Sequence, residues 1–226
     1  MGDRQALYRS INRYRQLFQE LVLAALKIAV AMVALAQPSL AKTNWSPDEI
    51  AQLKSGDAVV RVTAAAAPAD GDVRGAIDIA APAAQVWAVL FDCAGARTFM
   101  ENLKSCKIVE QGPGGAWDVR EHIVQWTVFL PQVRSEFRSD YVKDQSIWFK
   151  RTGGDLNFLE GSWQLQPLAG GKATRIHYEA QVGFSILIPG MLVRNALERD
   201  VPHLLGVIRR EAMRRAQGKE ERAGEH

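Results

Sequence analysis

Val133-Arg134-Ser135-Glu136-Phe137-Arg138-Ser139-Asp140-Tyr141 alternates side-chain character residue by residue, and Thr174-Arg175-Ile176-His177-Tyr178-Glu179 does so again downstream. Successive side chains of a strand point to opposite faces, so this period of two marks strands with one face toward a core. Working outward, the same pattern recurs over Lys104–Glu110, Trp117–Phe129, Ile147–Arg151 and Phe158–Gln166, and the last run extends from Thr174 to Phe184. Turn chemistry separates these runs: Gly112-Pro113-Gly114-Gly115, Leu130-Pro131, Lys143-Asp144, Gly153-Gly154-Asp155 and Gly170-Gly171. The result is an antiparallel meander. From Gly190 to about Arg215 the spacing becomes helical, with Val193, Leu197, Val201, Leu204 and Ile208 on one stripe. A long sheet with one apolar face must bury it, and this terminal helix is the one element long enough to cover it. The fold class is therefore α+β: a curved antiparallel sheet around a long C-terminal helix.

Upstream, Ser46-Pro47-Asp48-Glu49 combines a cap residue, a proline at the first helical position and acids in the first turn, so a short helix runs to about Lys54. Gly56-Asp57 ends it. Ala58–Val62 and Val73–Ile79 read as strands, and Ala81-Pro82 opens a helix whose apolar face is Val86, Trp87, Leu90 and Phe91. A second short helix is expected over Ala94–Met100. No internal repeat is visible.

Ile79-Ala80-Ala81-Pro82-Ala83-Ala84-Gln85-Val86-Trp87-Ala88-Val89-Leu90-Phe91-Asp92, Gly161-Ser162-Trp163-Gln164-Leu165 and the helix containing Pro202 resemble the START-like, or helix-grip, superfamily. The resemblance is to its polyketide cyclase/dehydrase and lipid transport branch, which includes coenzyme Q-binding proteins, and covers roughly 57–215. It implies a domain over 57–216; the short helical segment at 42–56 precedes it, and the polar tail at 217–226 reads as disordered. It also implies a cavity between sheet and terminal helix.

Alternation selects the wall of that cavity: Val133, Phe137 and Tyr141, then Ile147 and Phe149, then Trp163 and Leu165, then Ile176, Tyr178, Val182 and Phe184, faced by Val193 and Leu197. Taken singly, each side chain also fits a dry core; as a set under the resemblance, they form an aromatic wall suited to an apolar ligand. The segment Phe184-Ser185-Ile186-Leu187-Ile188-Pro189-Gly190-Met191-Leu192 is strongly apolar around a Pro-Gly loop signal. Ile186, Leu187, Ile188 and Met191, with Phe129 and Leu130 of a hairpin tip, are candidate gate or membrane-contact residues. A strand running into a buried helix start is the alternative.

The first 41 residues set the expected compartment. Arg4, Arg9, Arg13 and Arg15 precede the apolar run Leu21–Ala36, and Ser39-Leu40-Ala41 is a small-x-small site. Cleavage after Ala41 would give an exported, periplasmic protein; a retained anchor is the alternative. The chain has 28 Lys and Arg against 25 Asp and Glu; residues 1–41 hold five and two of these, leaving 23 of each. The remainder is formally neutral, which gives nucleic-acid binding no support. The Arg209, Arg210, Arg214, Arg215 cluster reads as the solvated last turn of a helix. In an exported chain Cys93 and Cys106 pair as a disulfide; two buried thiols are the alternative.

His122, His177, His203 and His226 lack metal-ligand spacing, and no nucleophile elbow, P-loop or dinucleotide fingerprint is present. No metal or cofactor is expected. Arg120, His122 and Tyr178 are the residues that could converge on a carbonyl in the cavity. The sequence thus predicts a monomeric carrier of a hydrophobic small molecule or lipid with transient membrane contact. An aromatase/cyclase or dehydratase acting on a polycyclic substrate is the alternative.

Overall fold

The computed structural model describes residues 44–65, 70–100, 102–125, 132–184 and 190–224. Helix α1 (Pro47–Ser55) begins at Ser46, whose hydroxyl accepts from the Glu49 amide at 3.2 Å while the Glu49 carboxylate accepts from the Ser46 amide at 2.6 Å. This capping box satisfies two amides that the first turn leaves unbonded. Strands β1 (Val59–Ala64) and β2 (Gly71–Ile79) follow, then helix α2 (Ala83–Phe91). Where a second short helix is expected over Ala94–Met100, the chain makes only a 3-10 turn at Ala96–Thr98. The Asp92 carboxylate accepts from the Gly95 amide at 2.7 Å, and that local bond favours a turn over helix continuation.

Six strands complete the sheet: β3 (Leu103–Gln111), β4 (Trp117–Val124), β5 (Val133–Val142), β6 (Ser146–Gly154), β7 (Leu156–Leu168) and β8 (Ala173–Phe184). All neighbours are antiparallel, in the order β1-β2-β8-β7-β6-β5-β4-β3. The meander ends when β8 returns to pair with β2, so β1 and β3 are the edges. The expected strands are all present to within a few residues; for β4 the portion beyond Gln125 lies outside the described residues.

The terminal helix, α3 (Gly190–Gly224), packs on β1, β2 and α2. Its buried face is Val201, Leu205, Ile208 and Ala212, and two of these, Leu205 and Ala212, lie beside the stripe that periodicity selects. Gly75 lets the helix close on β2: a Cβ there would sit 3.1 Å from Leu205 Cδ1. Under it lie Val73, Ile77, Ile79, Leu165 and Ile176, a dry aliphatic core. Helix α1 covers the opposite face, with Trp45 and Leu53 against Val59 and Ala76.

Two expectations at the chain's end are corrected. The helix continues through 217–224 instead of giving way to a disordered tail, since Lys219-Glu220-Glu221-Arg222-Ala223 are good helix formers. The arginine cluster is not simply a solvated last turn. Arg209 Nε donates to the Asp78 carbonyl at 3.3 Å, and Arg215 reaches α2, donating to the Ala88 carbonyl at 3.0 Å and to Asp92 at 2.7 Å. Arg210 and Arg214 meet the expectation of exposure, Arg214 bridging to Glu211 at 2.7 Å.

Candidate ligand-binding cavity

A cavity of about 110 Å³ lies between the β4–β7 half of the sheet and the two helices. Its sheet wall is aromatic and aliphatic: Phe137 and Tyr141 from β5, Ile147 and Phe149 from β6, and Trp163 from β7. Val89 and Leu90 of α2 and Leu204 and Ile208 of α3 face them, and Ala96, Phe99 and Met100 close one side. An engineered apolar cavity of roughly 150 Å³ takes benzene, so this space accepts a group no larger than one small ring or a short alkyl end. Its rings pack edge to face: His122 on Phe137 at 4.9 Å and Phe137 on Phe149 at 6.1 Å, with Tyr141 held separately against Phe91 at 5.2 Å. Gly161 makes room for this wall, because a Cβ there would lie 2.6 Å from the Phe149 ring and 2.2 Å from the Glu179 carbonyl.

The Cys93–Cys106 disulfide forms, with Cα atoms 5.5 Å apart, and both cysteines line the cavity. It ties the segment leaving α2 to edge strand β3. Closing so short a loop contributes on the order of 3 kcal/mol by the chain-entropy argument.

Strand β4 supplies what the apolar pattern does not. In Trp117-Asp118-Val119-Arg120-Glu121-His122-Ile123 the apolar residues occupy odd positions, yet the even ones face inward, placing Asp118, Arg120 and His122 on the concave side. Asp118 is 0% and Arg120 6% exposed. Arg120 Nε donates to both Asp118 oxygens, at 2.9 and 3.1 Å, so the two charges neutralise each other. Its remaining nitrogens donate to the Leu90 and Phe91 carbonyls at 3.3 and 3.1 Å. Helix C-termini leave carbonyls without intrahelical donors and carry partial negative charge. Arg120 from the sheet and Arg215 from α3 together satisfy these groups on α2, and this clamp fixes the helix that roofs the cavity.

Two other polar groups there have no partner. His122 Nε2 and the Tyr141 hydroxyl are buried without a hydrogen bond, although Asp118 and Ser139 are polar neighbours of the phenol. Burial, reinforced by the Arg120 charge, pulls the His122 imidazole down to about 4, so it is neutral near pH 7. Burial pushes the Tyr141 phenol above its ordinary range. The cavity therefore offers an apolar body and two neutral hydrogen-bonding groups, the kind of site that orients one carbonyl or hydroxyl.

Of the wall residues selected by alternation, Phe137, Tyr141, Ile147, Phe149 and Trp163 line this cavity. Ile176 is fully buried in the dry core, and Tyr178 packs on Trp163 with ring centroids 4.2 Å apart. Val133, Val182 and Phe184 are half-buried and do not line it; Leu197 packs at the core's margin. Val193 lies on α3, with its side chain outside the described residues. Of Arg120, His122 and Tyr178, the first two reach the cavity, whereas Tyr141 supplies the phenol there. Among the gate candidates, Met191 is 71% exposed on the first turn of α3; Phe129, Leu130, Ile186, Leu187 and Ile188 lie outside the described residues. Among the described residues no group of three His, Cys, Asp or Glu is placed to hold a metal, and no helix is long and apolar enough to cross a membrane. Sequence reasoning missed Asp118; the one available signal was an Asp-x-Arg-x-His run inside an otherwise apolar strand.

Comparison with known proteins follows the same lines. Human STARD10 superposes with a TM-score of 0.61 at 12% identity, covering 84% of this chain and 89% of its own. The STAR-related lipid transfer protein of Xanthomonas axonopodis gives 0.59 at 16% identity, covering 69% and 93%. The Zhui aromatase/cyclase of Streptomyces sp. R1128 gives 0.53 at 20% identity, covering 70% and 96%. At these identities the likeness establishes the helix-grip fold. A search of curated protein sequences finds no match. The family model described as polyketide cyclase/dehydrase and lipid transport matches residues 79–207, more than half of the sequence, and the chain belongs to that family.

Proposed function

We propose that the protein is an exported carrier that binds a hydrophobic small molecule or lipid, with part of the ligand inserted in the cavity between sheet and helices. The aromatic cavity carries this reading: its wall is mostly apolar, and the charged residues that line it, Arg120 and Asp92, are neutralised by Asp118 and Arg215. The leader-like first 41 residues and the disulfide support export, since an oxidising compartment preserves such a bond. The carrier acts as a monomer, and the apolar segments around Leu130 and Ile188 touch the membrane during loading. Native mass spectrometry of protein purified from its own periplasm tests the proposal. A co-purifying apolar molecule is expected, together with a mature N-terminus at Lys42. Apoprotein in every preparation, with no displacement of an apolar fluorescent probe, would refute it.

A cyclase or dehydratase reading has one specific observation in its favour: neutral His122 and Tyr141 lie unpartnered beside Arg120 at one end of the cavity. Turnover of a poly-β-keto substrate that is lost in His122→Ala, with probe binding retained, would establish it over the carrier.

A further inference from the structure

We propose that Arg151 forms a subsite for an anionic head group, so that the ligand is an acidic amphiphile whose apolar end enters the cavity; this rests on the carrier reading. Arg151 follows Ile147 and Phe149 on the inward face of β6, while Lys150 between them points out and pairs with Glu160 at 3.0 Å. Its cross-strand partner on β5 is Phe137, and both Phe137 and Phe149 line the cavity. The guanidinium thus stands on the same concave wall, at the cavity's margin.

Its bonding is incomplete. Nη2 donates to the Gly154 carbonyl at 3.1 Å, Nε is buried without an acceptor, and no ion pair to Arg151 is formed among the described residues. Among the described residues, the other charges that strand pairing brings onto this wall, Asp118 and Arg120, cancel each other, and Asp92 across the cavity is paired with Arg215. The wall therefore carries one uncompensated positive charge beside an apolar cavity. A half-buried guanidinium is costly to leave unpaired, and its planar fork matches a carboxylate or phosphate. The cavity is too small for a whole lipid, and a chain whose end fills it and that leaves along Phe137 and Phe149 arrives at Arg151.

The test compares dodecanoate with dodecanol, which share a tail and differ in charge, by titration calorimetry on the full chain, with inorganic phosphate as a tail-less control. Dodecanoate is expected to bind about tenfold more tightly than dodecanol, equivalent to roughly 1.4 kcal/mol. Arg151→Gln brings that ratio to about one, and Arg151→Glu reverses it in favour of dodecyltrimethylammonium; circular dichroism checks that both variants fold. Equal binding of acid and alcohol by the native chain, or an unchanged ratio in Arg151→Gln, overturns the subsite and leaves the carrier standing. Failure of both amphiphiles to bind removes both readings. Phosphate bound as tightly as dodecanoate makes the site one for free anions and overturns the amphiphile.

Discussion

One sheet serves two halves of the molecule in opposite ways. On β1, β2, β8 and β7 the concave face carries Val73, Ile77, Ile176 and Leu165, closed by Leu205 of α3 into an aliphatic core. On β4, β5 and β6 the same face carries Asp118, Arg120, His122, Ser139, Tyr141 and the rings of Phe137 and Phe149, and a cavity remains. The first half is filled because α3 can approach, at Gly75, to ordinary packing distance. The second stays open because α2 is held by arginine-to-carbonyl bonds, which fix a distance without filling space. Apolar contact gives density, and directional polar contact gives a vault.

The clamp is the strongest place to break this comparison. Arg120→Met strands buried Asp118 and frees two carbonyls of α2, and should destabilise the fold by about 3–5 kcal/mol in denaturant titration. A loss below about 1 kcal/mol would mean that the polar half does not depend on it. Next in size is a paired truncation. Leu205→Ala in the dry half should cost about 2–5 kcal/mol, whereas Phe137→Leu beside the cavity should cost less than about 1.5 kcal/mol. Equal costs would show that both halves are packed alike.

The third test is a pH slope belonging to the cavity half alone. His122 has a folded value of about 4, below the ordinary 6.5, so the unfolded chain binds a proton that the folded one refuses. Stability then falls as pH drops from about 6.5 to about 4, by about 2 kcal/mol between pH 7 and pH 5. Glu49 and Glu211, each held down to about 2 by hydrogen bonds from arginine, lose their contributions only below the ordinary carboxylate value of 4.5. Denaturant midpoints of His122→Phe should be flat over that interval; an unchanged slope would assign it to other groups.

How legible each half was in the sequence follows from the same contrast. Residues such as Ile77, Leu165 and Ile176 obey alternation, because a dry core rewards apolar area and little else. In β5 and β6 the aromatic alternation also pointed correctly, and Phe137, Tyr141 and Phe149 reached the cavity wall. In β4 apolar alternation is no guide to the inward face: Trp117, Val119 and Ile123 share one face, and it is the polar set that faces in. Arg120 and His122 were still suspect on chemistry, while the phenol proved to be Tyr141 and Tyr178 went to a ring stack.

By itself the sequence determined the element order, the antiparallel meander, the covering helix and the availability of two cysteines, since periodicity, turn residues and caps are local properties of the backbone. Only the tertiary structure decided that an Asp-Arg-His face points inward and that α2 is held by Arg120 and Arg215 from distant segments. It also decided which aromatic residues border empty space and which are stacked away. A buried charge is stable only where its partners converge, and convergence across 30 residues of chain for Arg120 and 127 for Arg215 is a property of the assembled fold.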